Sequence, residues 1–580
     1  VGQGPRMTAS ARVNGTGAGL GRRLETLARE RLGALRRPLA ALGFALLVLG
    51  CLLPWAGFAG FPGKMTLALW YAFPGGVRLY ALVLASAAGL AFVDLSGRRG
   101  ALRYASLGAL AVVGYTLYRI ADEGGGLVNV SVGGWLSVLG ALLLALAALG
   151  LPPDRPLRGS RPLPIPVEVG LVAAAFALLL YLVVVGLDID ANSQFIGYGL
   201  FLLAAALALN KLGLFAWTSS ISRRHRAVVV LAGLAAAASF PFTQGGSSYY
   251  LRVAASIGVF AAAALGLNVV VGLAGLLDLG YVAFFGVGAY TAALLSGATL
   301  SAVDVHLPFG LVIVLGAVIA AIFGVVIGAP TLRLRGDYLA IVTLGFGEIF
   351  RIMVNNLDGS SGPQLTNGPN GIGGVPDIKI FGLDFGETHT VFGTALPGFT
   401  NYYYLEIVLL VLVVGAFLRL NASRIGRAWV AIREDEVAAA AMGVNTTRLK
   451  LLAFAIGAFF AGAAGTVNAH VTRSAAPDSY TFLESVLLLA AVVLGGMGTV
   501  PGALLGSTLL ILLPEKLRSF QDYRLLLFGI ALVLVMRFRP EGIVASRRRQ
   551  REFHESAEEP GERADALGAP PGEAYQVSVR

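Results

Sequence analysis

Cysteine is almost missing from this sequence: Cys51 is the only one in 580 residues, so no intrachain disulfide can form. It lies within an apolar run, where a small packed residue is the simplest reading. Histidine is nearly as scarce. His225, His306, His389, His470 and His554 are scattered without metal-ligand spacing, so no zincin-type centre is expected. No Ser-His-Asp set stands out, and no G-x-x-x-x-G-K-[ST] stretch occurs, so the chain has no phosphate-binding loop with which to hydrolyse ATP by itself. No catalytic residue, metal or cofactor is expected. Charge is the last scarcity. Only 13% of residues are charged against 56% hydrophobic, and the mean hydropathy is +0.75. A chain this poor in polar residues cannot cover a globular surface, so much of its apolar area must face a lipid bilayer.

What is present fits that reading. The 76 glycines suit membrane helices, where small residues let backbones approach closely. The net charge of +11 could suggest nucleic acid, but its placement argues for membrane topology and no nucleic-acid partner. Arg22, Arg23, Arg29, Arg31, Arg36 and Arg37 precede the first apolar run. Further arginine clusters at 98–103, 155–161 and 223–226 occupy every second gap between runs, as cytoplasmic loops do.

About 20 apolar residues are needed per helical span. Candidates fall near 39–58, 77–94, 104–119, 129–151, 167–187, 195–217, 227–243, 251–271, 281–297, 308–332, 338–356, 404–419, 451–471, 482–498, 502–513 and 524–538. The expected fold is therefore an all-α polytopic membrane protein with about sixteen spans. The long uncharged region 485–514 is divided at LGGMGTVPG (494–502), which reads as a turn. Residues 1–38 are expected to be a basic cytoplasmic segment without a cleaved signal, 39–226 a membrane block of about six helices, 227–546 a ten-helix core, and 547–580 a disordered cytoplasmic tail. The segment 357–403, rich in Gly, Pro and Asn, is expected to form tight turns and a short hairpin on the outer side.

One polar interruption is conspicuous. Between two apolar runs the chain reads REDEVAAAAMGVNTTRLK (433–450). Glu434, Asp435 and Glu436 are placed in the first turn of a helix, with Arg448 and Lys450 beyond its other end, matching the helix dipole. Val437, Ala440, Ala441 and Val444 keep i, i+3, i+4, i+7 spacing, so the helix carries a small-residue face. That face either rests on the chain's own bundle or lodges in a groove on a partner. Gly443 permits close approach or ends the helix.

Several polar groups fall inside apolar runs. Glu348 sits mid-run with Arg351 three residues on and on the same helix face. A charge at the bilayer centre costs roughly 2.5–3.5 kcal/mol on insertion scales, so the two either touch substrate or form an ion pair joining two helices. Asn268 and Asp278 bracket VVVGLAGLLDLG, whose glycines suggest an interrupted helix near a pathway. Asn468 and His470 end another run and Glu484 begins the next. Arg333 and Arg335 are read as cytoplasmic anchors or as a second docking surface.

Four stretches resemble the LivM-type membrane subunits of branched-chain amino acid ABC transporters: LGLNVVVGLAGLLDLGYVAFFGVGAYTAALL (265–295), LRLRGDYLAIVTLGFGEIFR (332–351), TNGPNGI (366–372) and the region 426–465. The resemblance covers roughly 227–546. It implies a permease for leucine, isoleucine and valine in a bacterial inner membrane, with both termini cytoplasmic. The implied partners are a LivH-type second permease, two ATP-binding cassette subunits and an extracytoplasmic substrate-binding protein. It also implies that the polar interruption, within a loop spanning 420–450, couples to the ATPase. The residues it nominates are Arg433, Glu434, Asp435, Glu436, Ala438, Ala439, Gly443 and Arg448. Ala438, Ala439 and Gly443 keep the spacing of the Glu-Ala-Ala motif of importer permeases, but Val437 stands where its Glu would be. Asn268, Asp278, Glu348 and Asn468 are the candidates for the translocation pathway. Two rival readings stay open on the sequence alone: a permease of the same scaffold for urea, amides or other amino acids, and a self-sufficient secondary transporter.

Overall fold

In the computed structural model the described residues are 35–55, 77–93, 99–124, 126–149, 164–189, 192–244, 247–331, 337–360, 363–380, 382–391 and 394–516, with isolated positions between 526 and 544. The expected N-terminal segment before residue 35, the linker carrying Arg333 and Arg335, most of the span at 524–538 and the tail from 547 lie outside them. Among the described residues the chain is an all-α polytopic membrane protein, and nine helices are long and apolar enough to cross a bilayer.

Contacts divide the chain into two units, Val1–Ala238 and Ser239–Arg580. The first unit contains α1 (Arg36–Leu52), α2 (Val77–Val93), α3 (Arg99–Gly124), α4 (Val132–Leu149), α5 (Ile165–Asp188), α6 (Asn192–Lys211) and α7 (Leu214–Arg224). Helix α8 (Arg226–Thr243) crosses the division. The division thus falls later than residue 226, because the first half of α8 packs into the first unit, with Gly233 seated on the Phe176 ring. The expected run 195–217 is broken at Gly213, whose φ of +82° ends one helix and starts the short α7. Within this unit α1 and α4 meet along small residues, Gly43 against Gly140 and Gly50 against Gly133 and Ser137. Helix α5 is tied by Glu168, a buried carboxylate that pairs with Arg224 at 2.7 Å and His225 at 2.9 Å. Its other end is held by the Tyr198 hydroxyl, which donates to the Leu182 carbonyl. Between these elements α2, α5 and α6 line an apolar cavity of about 710 Å³ with Tyr80, Tyr181 and Tyr198 in its wall.

The second unit is built around one helix. Its elements are α9 (Ser248–Leu267), a π-turn (Asn268–Leu273), α10 (Val282–Leu295), α11 (Phe309–Thr331), α12 (Asp337–Asn356), α13 (Phe399–Ala422), α14 (Arg424–Glu434), α15 (Glu436–Ala441), α16 (Thr446–Thr472), α17 (Phe482–Gly495) and α18 (Val500–Lys516). Helix α16 is almost wholly buried from Ala453 to Val471 and packs against α9, α10 and α11. Its sequence, AIGAFFAGAAGTVNAH, explains why. Glycine and alanine leave no side chain between backbones, so a neighbouring helix comes close enough for dispersion contacts along its whole length. A Cβ on Gly465 would lie 1.9 Å from the Phe285 carbonyl oxygen, and one on Gly288 would lie 2.0 Å from that of Gly462. The turn at 494–502 divides α17 from α18.

Outside the helices, residues 357–398 fold into small antiparallel pairs: Lys379–Ile380 with Leu383–Asp384, and His389–Val391 with Thr394–Leu396. A third pair joins Ile372–Gly373 to Ser474–Ala475, just past the end of α16. Asp377 fixes this loop to the bundle, accepting from Arg473 and, at 2.8 Å, from the Tyr402 hydroxyl. The Gly386 amide and the Lys379 ammonium hold the half-buried Asp384 carboxyl below its usual range.

The α16 seam makes a sharp prediction. Gly465→Val should destabilise the detergent-solubilised protein by about 3 kcal/mol or more, since the overlap is with backbone that cannot swing away. Gly415→Ala on α13, where a Cβ meets nothing within 4 Å, should be neutral or slightly stabilising. Thermal unfolding of both variants checks the contrast.

Candidate functional site

The polar interruption folds as a capped platform. Helix α14 starts at Ser423, whose side chain accepts from the Gly426 amide at 3.1 Å. Its Trp429 is completely buried and donates through Nε1 to the Leu449 carbonyl at 2.7 Å, fastening α14 to the start of α16. Ile432 is buried beside it. The chain then turns at Asp435, an extended residue whose carboxylate accepts from the amides of Val437 and Ala438, both at 2.9 Å. This is an N-cap, which satisfies two of the otherwise unpaired donors at the start of α15. The six-residue α15 ends at Gly443, with φ +85° and its amide on the Ala440 carbonyl. A left-handed glycine is the usual helix terminator because it lacks the Cβ clash. Asn445 then caps α16 by accepting from the Arg448 amide at 3.1 Å.

The sequence placed Glu434, Asp435 and Glu436 together in a first turn. In the structure Glu434 closes α14, Asp435 is the cap between helices, and Glu436 alone opens α15. Nor does Lys450 sit beyond the helix as a free charge. It is buried and pairs with Glu436 at 2.6 Å, tying α15 to α16. Arg448 is exposed on the first turn of α16. Ala439 faces inward at 5% exposure, whereas Val437 is 68% exposed and Met442 84%. Ala438, Ala440, Ala441 and Gly443 are exposed with them. The result is a rigid surface of small and apolar side chains, flanked by Glu434 and Asp435. Met442 did not enter the sequence argument, because periodicity selects a face of a longer helix and α15 has too few turns to define one.

Arg433 takes an unexpected course. Its Nη1 donates to the Gly272 carbonyl at 2.8 Å, so the side chain runs back from the loop to the π-turn. There the helix is interrupted as the glycines suggested. The Ala274 amide reaches the Val269 carbonyl and the Leu276 amide reaches that of Val270, in place of the regular α ladder. Asn268 is fully buried at the start of this segment. Its Oδ1 accepts from the Gly498 amide at 2.7 Å and its Nδ2 donates to the Thr499 carbonyl at 3.1 Å. Ten residues on, Asp278 is 1% exposed and its Oδ1 accepts from the Gly280 amide at 2.9 Å. Its Oδ2 is buried with no hydrogen-bond partner among the described residues. The break is further fastened by Leu279 to the Thr343 hydroxyl, by the Tyr281 hydroxyl to the Gly457 carbonyl, and by Val282 to the Ser485 hydroxyl.

Glu348 and Arg351 do pair, through Nε at 2.9 Å and also through Nη2. The pair lies within α12 at i, i+3 and does not join two helices, and both side chains are partly exposed. Asn468 is half-buried near the far end of α16, away from the loop 433–450. Its neighbour His470 is buried, contacting the Ser296 hydroxyl at 3.3 Å and the Pro376 carbonyl at 3.0 Å. The structure thus gathers Arg433, Asn268 and Asp278 around one break, against which α12 packs through Thr343 and Gly347, while the Glu348 side chain is paired with Arg351. No cluster able to hold a metal occurs among the described residues.

Glu406 escaped the sequence reading. It stands on the buried face of α13 against Gly258, 1% exposed, and neither carboxyl oxygen has a hydrogen-bond partner among the described residues. Its signal was available: it falls on the stripe Tyr402, Glu406, Leu409, Val413, Phe417. A buried polar group without a partner costs about 1–3 kcal/mol. Glu406→Met, of similar bulk, should therefore raise the melting temperature, and unchanged stability in this variant would show that the carboxyl has a polar partner.

Comparison with known proteins agrees with this geometry. Residues 249–536 match the family described as branched-chain amino acid transport system, permease component. The chain is 41% identical over 347 residues to the high-affinity branched-chain amino acid transport system permease protein LivM of Salmonella typhimurium, covering 58% of this chain and 78% of that protein. Its identity to Escherichia coli LivM is 43% over 307 residues, covering 50% and 69%. A weaker likeness, 31% over 156 residues, links it to Escherichia coli LivH, covering 26% and 49%. No solved structure matches the chain.

Proposed function

The chain belongs to the branched-chain amino acid transport permease family, and from that premise we propose that it is the LivM-type permease subunit of an ATP-driven importer for leucine, isoleucine and valine. A LivH-type permease forms the pathway with it, and the partial likeness to LivH supports two subunits of related build. Two ATP-binding cassette subunits supply hydrolysis, in keeping with the missing phosphate-binding loop. An extracytoplasmic binding protein delivers substrate to the outer face. The protein spans a bacterial inner membrane with both termini in the cytoplasm, 39–226 being an extension and 227–546 the permease core.

The observation that carries this reading is the capped loop Arg433–Lys450. Asp435 and Asn445 cap the starts of its two helices, Trp429 fastens its base to Leu449, and a small apolar surface is left exposed. Exposed apolar side chains on a rigid mount fit a groove on a partner. Closure of the ATPase pair moves this platform and switches the side to which the pathway opens. Glu434, Asp435, Ala438, Gly443 and Arg448 line the docking face. Glu436 and Ala439 support it from within, and Arg433 leads away from it to Gly272. Asn268, Asp278, Glu348 and Asn468 serve the pathway, Asn268 and Asp278 by shaping the break.

The test uses the exposed positions, since a bulky residue at buried Ala439 would disturb the loop itself. Val437→Asp combined with Ala440→Arg should leave the permease folded and reduce ATPase recovered with it at least tenfold, with loss of ATP-dependent leucine uptake. Wild-type uptake in this double variant would overturn the coupling role.

A further inference from the structure

The loop that faces the motor and the break in α9–α10 are joined by one side chain, and its chemistry is specific. Arg433 lies in the last turn of α14, one residue before the docking platform, yet its guanidinium donates inward to the Gly272 carbonyl. That carbonyl lies in the last turn of the π segment, at the negative end of the interrupted helix, where a cation is favoured. The aliphatic stem of Arg433 crosses Gly275, where an added Cβ would lie 2.2 Å from Cγ, and Gly275 has φ +73°. Glycine there is therefore a seat for this side chain. The other end of the segment is held by Asn268 to the Gly498–Thr499 turn. That turn is itself tied to the chain beyond the last span, through Ile543 to Leu494 and Val544 to Gly495. Six residues of irregular backbone are thus clamped at one end to the bundle and at the other to a lever. The lever is stiff, because Trp429 and Ile432 fix α14 to the body of the protein.

We propose that Arg433 is a positioning residue that carries displacement of the cytoplasmic loop to the break at Asn268–Gly280, acting on this chain's own backbone and not on the ATPase. The inference rests on the importer reading above. It makes the π-turn the moving part of the pathway: when α14 shifts, the bond to Gly272 draws the end of the segment with it while Asn268 holds the start.

The experiment uses the whole complex recovered through a tag on this chain, in vesicles supplied with ATP inside and binding protein and labelled leucine outside. Arg433→Gln should lower leucine moved per ATP hydrolysed at least tenfold while ATPase recovery and melting temperature stay near wild type; Gly275→Ala, strained at φ +73°, should lower the same ratio together with the melting temperature. Arg433→Lys, which retains a cationic donor, should restore at least a third of the ratio. A wild-type ratio in Arg433→Gln overturns the inference and leaves the importer reading standing. Loss of ATPase recovery in that variant also overturns it, by placing Arg433 on the docking surface. So does a fall in melting temperature that Arg433→Lys does not repair, which would mark a purely structural bond. If the wild-type protein recovers no ATPase or moves leucine without ATP, the importer reading itself fails.

Discussion

Backbone amides and carbonyls within a bilayer have no water to turn to, so any departure from a regular helix must be answered by protein groups. The stretch from Asn268 to Val282 is where this constraint presses hardest. Its departure from the α ladder is met by two hydroxyls and an arginine drawn from elements distant in sequence, while its own Asn268 and Tyr281 reach out to the backbone of Gly498, Thr499 and Gly457. The surrounding helices must come close enough for those groups to reach. The glycine and alanine seam of α16 is what permits it, as with Gly457, whose carbonyl receives Tyr281 because no side chain stands between.

The same logic governs the loop 433–450. A loop in water could satisfy its backbone with solvent, but here Ser423, Asp435 and Asn445 cap three successive helices, and Gly443 terminates one of them. The buried Lys450–Glu436 pair adds a fixed point beneath α15. Such order in a short connection gives a partner a surface of defined shape, so less conformational entropy is lost when the two meet.

Much of this was legible from composition and pattern. The apolar runs located the helices, and the uncharged region around 494–502 was divided where α17 gives way to α18. The glycines of 272–280 announced the interruption that is present. Local sequence could not show direction. Arg433 sits in a charged tetrad and reads as part of a solvated face, and only the tertiary structure turns it toward Gly272. Asn268 was nominated for the pathway from its place beside the glycine-rich break, and its two backbone partners, more than two hundred residues away in the chain, could not be read locally. The Glu348–Arg351 spacing was equally compatible with a pair inside one helix, and that is what forms. Asp435 was assigned one position too far into a helix, since charge alone does not distinguish a cap from a first turn.

Helix α16 runs for 27 residues, about 40 Å at the α-helical rise, which is enough to pass from one aqueous compartment to the other. Its start is bonded to the loop 433–450, through Trp429 and Lys450. Its last turn is bonded to the opposite face, through His470 to Pro376 and, just beyond, the strand at Ser474–Ala475. A rod attached at both ends and bordered by smooth, side-chain-free seams moves as one piece. A displacement at one end of such a rod is carried to the other end with no relay of intermediate contacts required.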